Sequence, residues 1–431
     1  MIVWSYEGFI SPLYAYSGFR YRPAGLAHLA VSILICALPA LWLPTRPRTP
    51  AHVLLWIMQI FIMCSSGALN PVVPYRGVWE TVGWSCWMVA CMAVVSLCLV
   101  LRPLKAPPIG LYERRVRRLF FGGVLATLLL FVARFGLPSP DFSLSTVGDR
   151  RLAFRETIAG ASRPMGYLLG WTQSALAPIA IMSAISRRRP WGAVLGASLF
   201  LWLYLMNGTR TSLVAVPFAV ALWWAMKRRV SGAGYAGGAA ALLLGSVVVF
   251  QITNQAIAIG SIAKRLFAVP GVLGMFYFDY FSDHPPGLYR DGIFGAVTSS
   301  PYSTDLPRVI GEIYLSDASS NANVNFFADS YAQLWVAGLL VAFAMAIVLW
   351  LLDSVTADLD LPAVMGSLAL LSLAIVNTGA LVWMTTNGMT LALVIYWFAG
   401  PALFPPVSRP RSSWRRNATM RRSAWPTRAV P

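Results

Sequence analysis

Charged residues are scarce in this chain of 431 residues, and their scarcity excludes most soluble folds. Only 12% of the residues are Asp, Glu, Lys or Arg, whereas 57% are hydrophobic. This composition is far too apolar for a soluble domain of such a length. Acidic residues are rarer than basic ones, with 16 Asp and Glu against 34 Lys and Arg. The composition therefore predicts a polytopic integral membrane protein.

Cysteine, histidine and nucleotide-binding motifs are rare or missing. The five cysteines all fall between Cys36 and Cys98, in apolar runs, and they predict neither a disulfide framework nor a zinc site. No GxGxxG or GxxxxGK[ST] pattern follows a strand-like run, so nucleotide chemistry has no support. We expect no cofactor and no metal.

Long apolar runs dominate the remainder of the chain. About eleven of them reach the roughly 17–25 residues that a helix needs to cross the bilayer core. The prediction is an all-α fold with a large extracytoplasmic loop and with spans at 24–43, 51–69, 80–101, 119–137, 165–185, 190–206, 211–226, 232–252, 331–352, 361–380 and 382–404.

Basic residues mark one side of this alternating path. They cluster at 187–189, at 227–229 and in a tail that holds seven arginines between Arg409 and Arg428. By the positive-inside rule these loops are cytoplasmic, which places the N-terminus outside and the C-terminus on the cytoplasmic side of the membrane. The net charge of +18 is thus explained by topology and by contact of the tail with anionic membrane lipid, without a nucleic-acid partner.

The same path divides the chain into four parts. Residues 1–252 form the N-terminal transmembrane helices with a basic outer loop near 138–164. Residues 253–330 form the large extracytoplasmic loop, and 331–406 form the C-terminal helices. Residues 407–431 form the basic cytoplasmic tail. Loops as long as 253–330 are uncommon unless they are functional or disordered.

The large loop has the composition of a sugar-binding surface. It contains "GVLGMFYFDYFSDHPPGLYRDGIFGAV" and "IGEIYLSDASSNANVNFFADSYAQLW", which combine aromatic faces with amides and carboxylates. A sugar ring offers apolar C–H faces and hydroxyls to such groups. The predicted substrate-binding residues are Tyr289, Asn321, Asn323 and Asp329. Alternatively, the aromatic residues form an interfacial belt.

Arginines on the predicted outer face indicate a phosphate-bearing ligand. Arg210 lies in the turn "NGTRTSL", just before an apolar run, and four more lie in "GDRRLAFRETIAGASRP". A guanidinium binds phosphate oxygens in pairs and stays charged. The arginines predicted to bind or act on the substrate are Arg150, Arg151, Arg155, Arg163, Arg210 and Arg290. The alternatives are ion pairs with nearby acids or, for Arg210, an anchor at the membrane surface.

The large loop also contains a candidate base for proton transfer. His284 titrates nearest neutrality and lies beside Asp283 and two prolines, which fix the turn. His284 is therefore the candidate base, with the loop carboxylates and a plain surface role for His284 as the alternatives.

These features together resemble the O-antigen polymerase family of bacterial polytopic membrane glycosyltransferases. The matching stretches are "NGTRTSL" and "NANVNFFADSYAQLWVAGLLVAF", with arginine-bearing outer loops. The resemblance implies a metal-independent enzyme that acts on undecaprenyl-diphosphate-linked oligosaccharide, with a chain-length regulator and a flippase as further partners. It also implies essential arginines in two outer loops, and Arg155 with Gly166 fits the pattern of the first loop.

We therefore expect a glycosyltransferase of cell-envelope polysaccharide biosynthesis that polymerises lipid-linked repeat units on the outer face of the inner membrane. Arg210 and Arg155 would neutralise the leaving diphosphate, and His284 or a carboxylate would accept a proton. Two alternatives stay open. The chain could transfer a glycan to a different acceptor, as an O-antigen ligase does, or it could be a non-enzymatic flippase or transporter of lipid-linked glycan.

Overall fold

In the computed structural model the chain is helical, and no strand occurs in the residues that the structure describes. Those residues are 1–74, 76–104, 113–138, 150, 153–154, 157, 163–208, 210–290, 301–317 and 320–405, without the side chains of Arg163 and of residues 210–214. Nine helices in this part are long and apolar enough to cross a membrane. The expectation of an all-α, multi-pass membrane protein is confirmed at that level.

The helices follow a series of short helical turns over residues 2–17. In chain order they are α1 (Leu26–Leu41), α2 (Pro50–Val72), α3 (Val78–Leu99), α4 (Glu113–Phe135), α5 (Pro164–Ser186), α6 (Pro190–Asn207), α7 (Arg210–Arg228), α8 (Gly232–Thr253), α9 (Ala256–Asp283), α10 (Leu306–Leu315), α11 (Phe326–Leu334), α12 (Leu339–Thr356), α13 (Leu361–Ser367), α14 (Ala369–Ala374), α15 (Ala380–Met384) and α16 (Met389–Leu403). The nine candidate spans are α2 to α6, α8, α9, α11 continued by α12, and α15 continued by α16.

The expected count of eleven spans is not confirmed. Two predicted spans, 24–43 and 211–226, correspond to α1, a shorter apolar helix, and to α7, and neither is among the nine candidates in the described residues. The predicted span 361–380 is divided into the short helices α13 and α14, followed by a non-helical stretch before α15. In the opposite direction, α9 is an apolar helix of 28 residues inside the segment that was predicted as the large loop. Its aromatic residues suit a buried helix as well as a sugar-binding loop, so composition alone did not distinguish the two.

The turn around Arg210 has the predicted form. Helix α6 ends at Asn207, Gly208 adopts a left-handed backbone with φ of +60°, and α7 begins at Arg210. Glycine is favoured here because it adopts positive φ without a steric penalty. The sequence therefore placed Arg210 correctly at the start of a helix.

Aromatic packing joins α3, α9 and α11. The ring of Trp84 is fully buried, stacks on Phe278 at a centroid distance of 5.0 Å and meets Tyr331 edge-on at 5.6 Å. Such aromatic pairs add about 0.5–1.5 kcal/mol each to the burial of their surfaces. This cluster fixes the ends of α9 and α11, which carry the polar residues described next. The predicted tail, 407–431, lies outside the described residues.

Candidate functional site

A capping asparagine fixes the start of α11 and thereby the position of Asp329. The side-chain oxygen of Asn325 accepts hydrogen bonds from the Phe327 and Ala328 amides at 3.2 and 3.3 Å, as a helix N-cap does. Its amide group donates to the Pro270 carbonyl of α9 at 3.1 Å. Asp329 follows in the first turn of α11, so its place relative to α9 is set by a buried side chain.

The Asp329 carboxylate lies directly against the backbone at the break between α14 and α15. A Cβ atom built on Gly379 would be 2.3 Å from Oδ2 of Asp329 and 3.1 Å from Oδ1. Real Cβ atoms essentially never approach an oxygen so closely, so a side chain at position 379 would displace this carboxylate. Gly379 precedes the first residue of α15, and the carboxylate therefore faces a helix interruption.

Two further polar side chains complete this group, which we call the Asp329 site: Asp329, Gln333, Tyr289 and Gly379. Gln333, one turn along α11, hydrogen-bonds to Asp329. Its side-chain oxygen also accepts a hydrogen bond from the backbone amide of Tyr289 at 2.6 Å. The Tyr289 hydroxyl is buried without a hydrogen-bond partner in the protein. Burial, followed by the charge of Asp329, raises the pKa of Tyr289, so this phenol stays protonated and can donate a hydrogen bond.

Asp329 has no cationic partner among the described residues. The ion pairs in that part of the chain join Arg76 to Asp279, Arg76 to Asp283 and Arg187 to Glu113. Buried charges in proteins are usually paired, and an ionisable residue within a candidate span is by default a functional candidate. The Asp329 site is thus able to accept a proton or a hydroxyl hydrogen bond.

The interruption next to Asp329 is rich in amides and hydroxyls. Asn387 donates to the Thr378 hydroxyl at 3.2 Å, and Asn377 donates to the Arg265 carbonyl at 3.5 Å. From α5, the Trp171 indole donates to the Thr385 carbonyl at 2.5 Å. These contacts hold a non-helical backbone between α5, α9 and α11. Such a backbone at membrane depth is tolerated where it is buried in protein or lines a polar cavity.

The predicted site residues of the large loop are partly brought together. Tyr289 and Asp329 meet in the Asp329 site. His284 is exposed, stacks on Tyr280 at a centroid distance of 3.9 Å, and its Nδ1 lies 2.8 Å from the Tyr280 carbonyl. Asn321 and Asn323 are also exposed. Arg290 is half-buried and lies in a turn, where its backbone amide donates a hydrogen bond to the Gly287 carbonyl.

The predicted arginines of the first outer loop are described only in part. The Arg150 guanidinium lies over the Tyr204 ring at 5.7 Å and donates to the Leu205 carbonyl at 3.4 Å. It therefore contacts the last turn of α6, just before the turn that leads to Arg210. Arg151 and Arg155 lie outside the described residues, as do the side chains of Arg163 and Arg210.

The sequence reasoning missed an ion-pair network at the end of α9. The Arg76 guanidinium, on the turn between α2 and α3, donates to Asp279 and Asp283 at 2.5 Å each. The Tyr314 hydroxyl of α10 also donates to Asp279. One arginine between two apolar runs was a visible signal, but its partners lie more than 200 residues away.

The described residues contain no group of three His, Cys, Asp or Glu side chains close enough to hold a metal ion. Compared with protein-family models, with curated proteins and with solved structures, the chain matches none.

Proposed function

We propose that this protein is a glycosyltransferase that polymerises undecaprenyl-diphosphate-linked oligosaccharide units on the outer face of a bacterial inner membrane, with Asp329 as the general base. The observation that carries the proposal is the Asp329 carboxylate, which has no cationic partner in the described chain and faces a polar helix interruption. A general base must present a free carboxylate within hydrogen-bond reach of the acceptor hydroxyl.

Asp329 suits the role of base better than His284 does. The His284 ring is exposed, and one of its nitrogens is held by the carbonyl of its own helix. Asp329 is half-buried, next to a phenol hydroxyl that lacks a partner. A hydroxyl of a sugar bound there would satisfy both groups, since the phenol donates and the carboxylate accepts.

A small apolar cavity beside α7, the helix that begins at Arg210, suits one part of a lipid tail. Its volume is about 60 Å³, and its lining is Pro178, Ile181, Met182, Ile185, Phe200, Ala215, Val216, Ala219, Val220, Gly366, Ala369 and Leu370. A prenyl unit bound there would lie on the helix whose first residue is Arg210, where the guanidinium and the partial positive charge of the helix terminus favour an anion.

The proposed reaction is a glycosyl transfer to the acceptor hydroxyl. The acceptor hydroxyl oxygen forms a bond to the anomeric carbon of the donor glycan, and the bond from that carbon to the diphosphate oxygen breaks. The diphosphate leaves with the electron pair, and the hydroxyl proton moves to the Asp329 carboxylate. Arg210 and Arg155 neutralise the charge that develops on the diphosphate, because fixed donors aimed at developing charge commonly give the largest catalytic contribution.

The test is elongation by the purified full-length protein in lipid nanodiscs, with one lipid-linked oligosaccharide as the substrate. We expect a ladder of products without nucleotide, and we expect Asp329→Asn to lower the rate by about 10²–10⁴-fold. The matched control is Asp305→Asn, an exposed aspartate of the same predicted loop, which should elongate like the unchanged protein.

The alternatives give different results in the same assay. A single transfer that needs a second kind of acceptor would indicate a ligase, and movement of lipid-linked glycan across vesicles without any new bond would indicate a flippase. An Asp329→Asn variant with undiminished elongation and normal abundance would remove Asp329 as the base.

A further inference from the structure

A second polar cleft lies apart from the Asp329 site, between three segments that are distant in sequence. Its volume is about 340 Å³, near the lower end of the roughly 300–1,000 Å³ of ligand pockets. The walls come from the N-terminal turns, from α9 and from the chain that follows α10. The lining residues are Tyr16, Ser17, Phe19, Lys264, Leu315, Ser316, Asp317 and Ser320.

Lys264 is the cation of this cleft. Its ammonium lies 3.8 Å from the ring centroid of Tyr14 and 4.5 Å from that of Phe19. None of the ion pairs found in the described part of the chain involves Lys264. Ring faces stabilise an ammonium through their quadrupole but leave its positive charge unneutralised. The cleft thus contains a half-buried cation whose contacts with the described residues include two aromatic rings.

Glycines allow the aromatic rings to come this close. A Cβ atom on Gly260 would lie 2.6 Å from the Tyr14 hydroxyl, and one on Gly18 would lie 2.2 Å from the Tyr314 carbonyl oxygen. Gly18 also has a φ of +86°, which side-chain-bearing residues rarely adopt. The N-terminal turns are therefore fitted closely onto α9 and α10, and the cleft is a built feature of the fold.

The other lining groups are those that bind sugar hydroxyls and sugar ring faces. Tyr16 is 79% exposed and presents an open aromatic face. Ser17, Ser316 and Ser320 offer hydroxyls, and Asp317 also lines the cleft. This combination of an aromatic face, several hydroxyls and one carboxylate is unlike a simple phosphate site, which would be built from cations and amides.

We propose that this cleft binds an anionic saccharide, with the carboxylate or phosphate of the sugar on Lys264 and a sugar ring on Tyr16. Arg265, the next residue in α9, is exposed and adds to the positive potential. Asp317 is the acidic group that lines the cleft, and it is accommodated as an acceptor of sugar hydroxyls. This inference does not depend on the proposed transferase activity, because it concerns binding alone.

The experiment measures equilibrium binding to the full-length protein in nanodiscs by a disaccharide that carries one glucuronic acid. The comparison probes are the neutral disaccharide with glucose in its place and inorganic phosphate. We expect the acidic disaccharide to bind at least about tenfold more tightly than either comparison probe. The neutral disaccharide lacks the anionic group that would pair with Lys264, and phosphate lacks the sugar ring that would stack on Tyr16.

Substitutions then assign the binding to the cleft. Lys264→Met should weaken binding of the acidic disaccharide by about tenfold or more, while Lys264→Arg should retain it. The matched control is Lys227→Met, because Lys227 also lies over an aromatic ring, that of Trp223 at 4.6 Å, but lines no part of the cleft. Equal affinity for the acidic and neutral disaccharides, or full binding by a folded Lys264→Met variant, would overturn the proposal. Phosphate that binds as tightly as the acidic disaccharide would overturn the saccharide part of it.

Discussion

Gly379 and Asp329 are in direct contact, and the contact leaves no room for a side chain at position 379. The carboxylate oxygen would be 2.3 Å from a Cβ atom there. The backbone of Asp329 is held by the capped start of α11 and that of Gly379 by the start of α15, so a Cβ atom at position 379 would turn the carboxylate away from its present position. The contact therefore couples the chemistry of the site to its stability.

Gly379→Ala should lower both thermal stability and any activity at the Asp329 site. Overpacking in a fitted interior costs roughly 1–3 kcal/mol, which should appear as a lower Tm of the purified protein. Gly238→Ala is the control, since no atom lies within 4 Å of a Cβ built on this glycine of α8. There, alanine should be neutral or should stabilise the helix by about 0.5–1 kcal/mol. Equal Tm changes in the two variants would contradict the packing argument.

Tyr289→Phe separates stability from function. The variant removes a buried hydroxyl that has no partner in the protein, and an unsatisfied buried polar group costs about 1–3 kcal/mol. The Tm should therefore stay the same or rise. If the hydroxyl binds the acceptor sugar, the elongation rate should fall by about tenfold, the loss of one hydrogen bond. A lower Tm would show that the hydroxyl is satisfied by another group.

A double-mutant cycle should show that Arg76 and Asp279 stabilise the protein as a coupled pair. Arg76→Met leaves Asp279, whose side chain is 17% exposed, without its cation, and should destabilise the protein by about 2–3 kcal/mol. The double variant Arg76→Met with Asp279→Asn should recover part of this loss, because the only carboxylate then left without Arg76 is that of Asp283, which is 64% exposed. Arg228→Met, at an exposed position of α7, should change stability by less than about 0.5 kcal/mol. Additive losses in the double variant would show that the pair is not coupled.

Helix α9 is long and apolar enough to cross a membrane, but the predicted outer location of residues 253–330 requires that it does not cross. Tyr314 of α10 contacts Asp279, and the next residue, Leu315, lines the cleft with Lys264. One short helix thus reaches both parts of α9. Impermeant maleimide should label Asn254→Cys and Ser303→Cys from the same outer side, in a background without the exposed Cys64 and Cys86. A reporter fused at Ser413 should be cytoplasmic. Labelling of positions 254 and 303 from opposite sides would show that α9 crosses.

Arg210→Lys tests the predicted role of the arginine at the start of α7. Lysine keeps the charge but loses the planar fork, so elongation should fall by about a hundredfold, equivalent to ~3 kcal/mol. The competing explanation is a membrane-surface anchor, for which lysine serves nearly as well. Rates are compared in membranes at equal protein levels. Near-normal polymerisation by the lysine variant would remove Arg210 from the catalytic residues.

The sequence was informative wherever a property is local. Apolar runs predicted most of the helices, and the Asn-Gly pair before Arg210 predicted the turn that joins α6 to α7. The sugar-like composition around Tyr289 and Asp329 led to two residues that do meet in the fold. These features depend on composition, on periodicity and on the backbone freedom of one glycine.

The features that could not be predicted are contacts between distant segments. Asp329 and Gly379 are 50 positions apart, and only the packing of α11 against the α14–α15 break brings them together. The same holds for Arg76 with Asp279, and for Lys264 with Tyr14. Helix α9 was missed for a different reason: its glycines and proline lower its helix propensity, and its aromatic residues suit a sugar-binding loop as well as a buried helix.

The wide-turn geometry at the start of α9 has a consequence for the tolerance of this chain to insertions and deletions. Residues Gly260–Ala268 form a π-helical segment, which accommodates more residues per turn than the α-helix that follows. Each residue added or removed there would rotate the rest of α9 by about 100°. Lys264 within the segment and Asp279 beyond it could then no longer contact Tyr14 and Arg76, respectively, at the same time. The length of this one segment therefore sets how the cleft lined by Lys264 is rotated relative to the Arg76 network. Insertions and deletions should be tolerated far better before Ala256 than between Lys264 and Asp279.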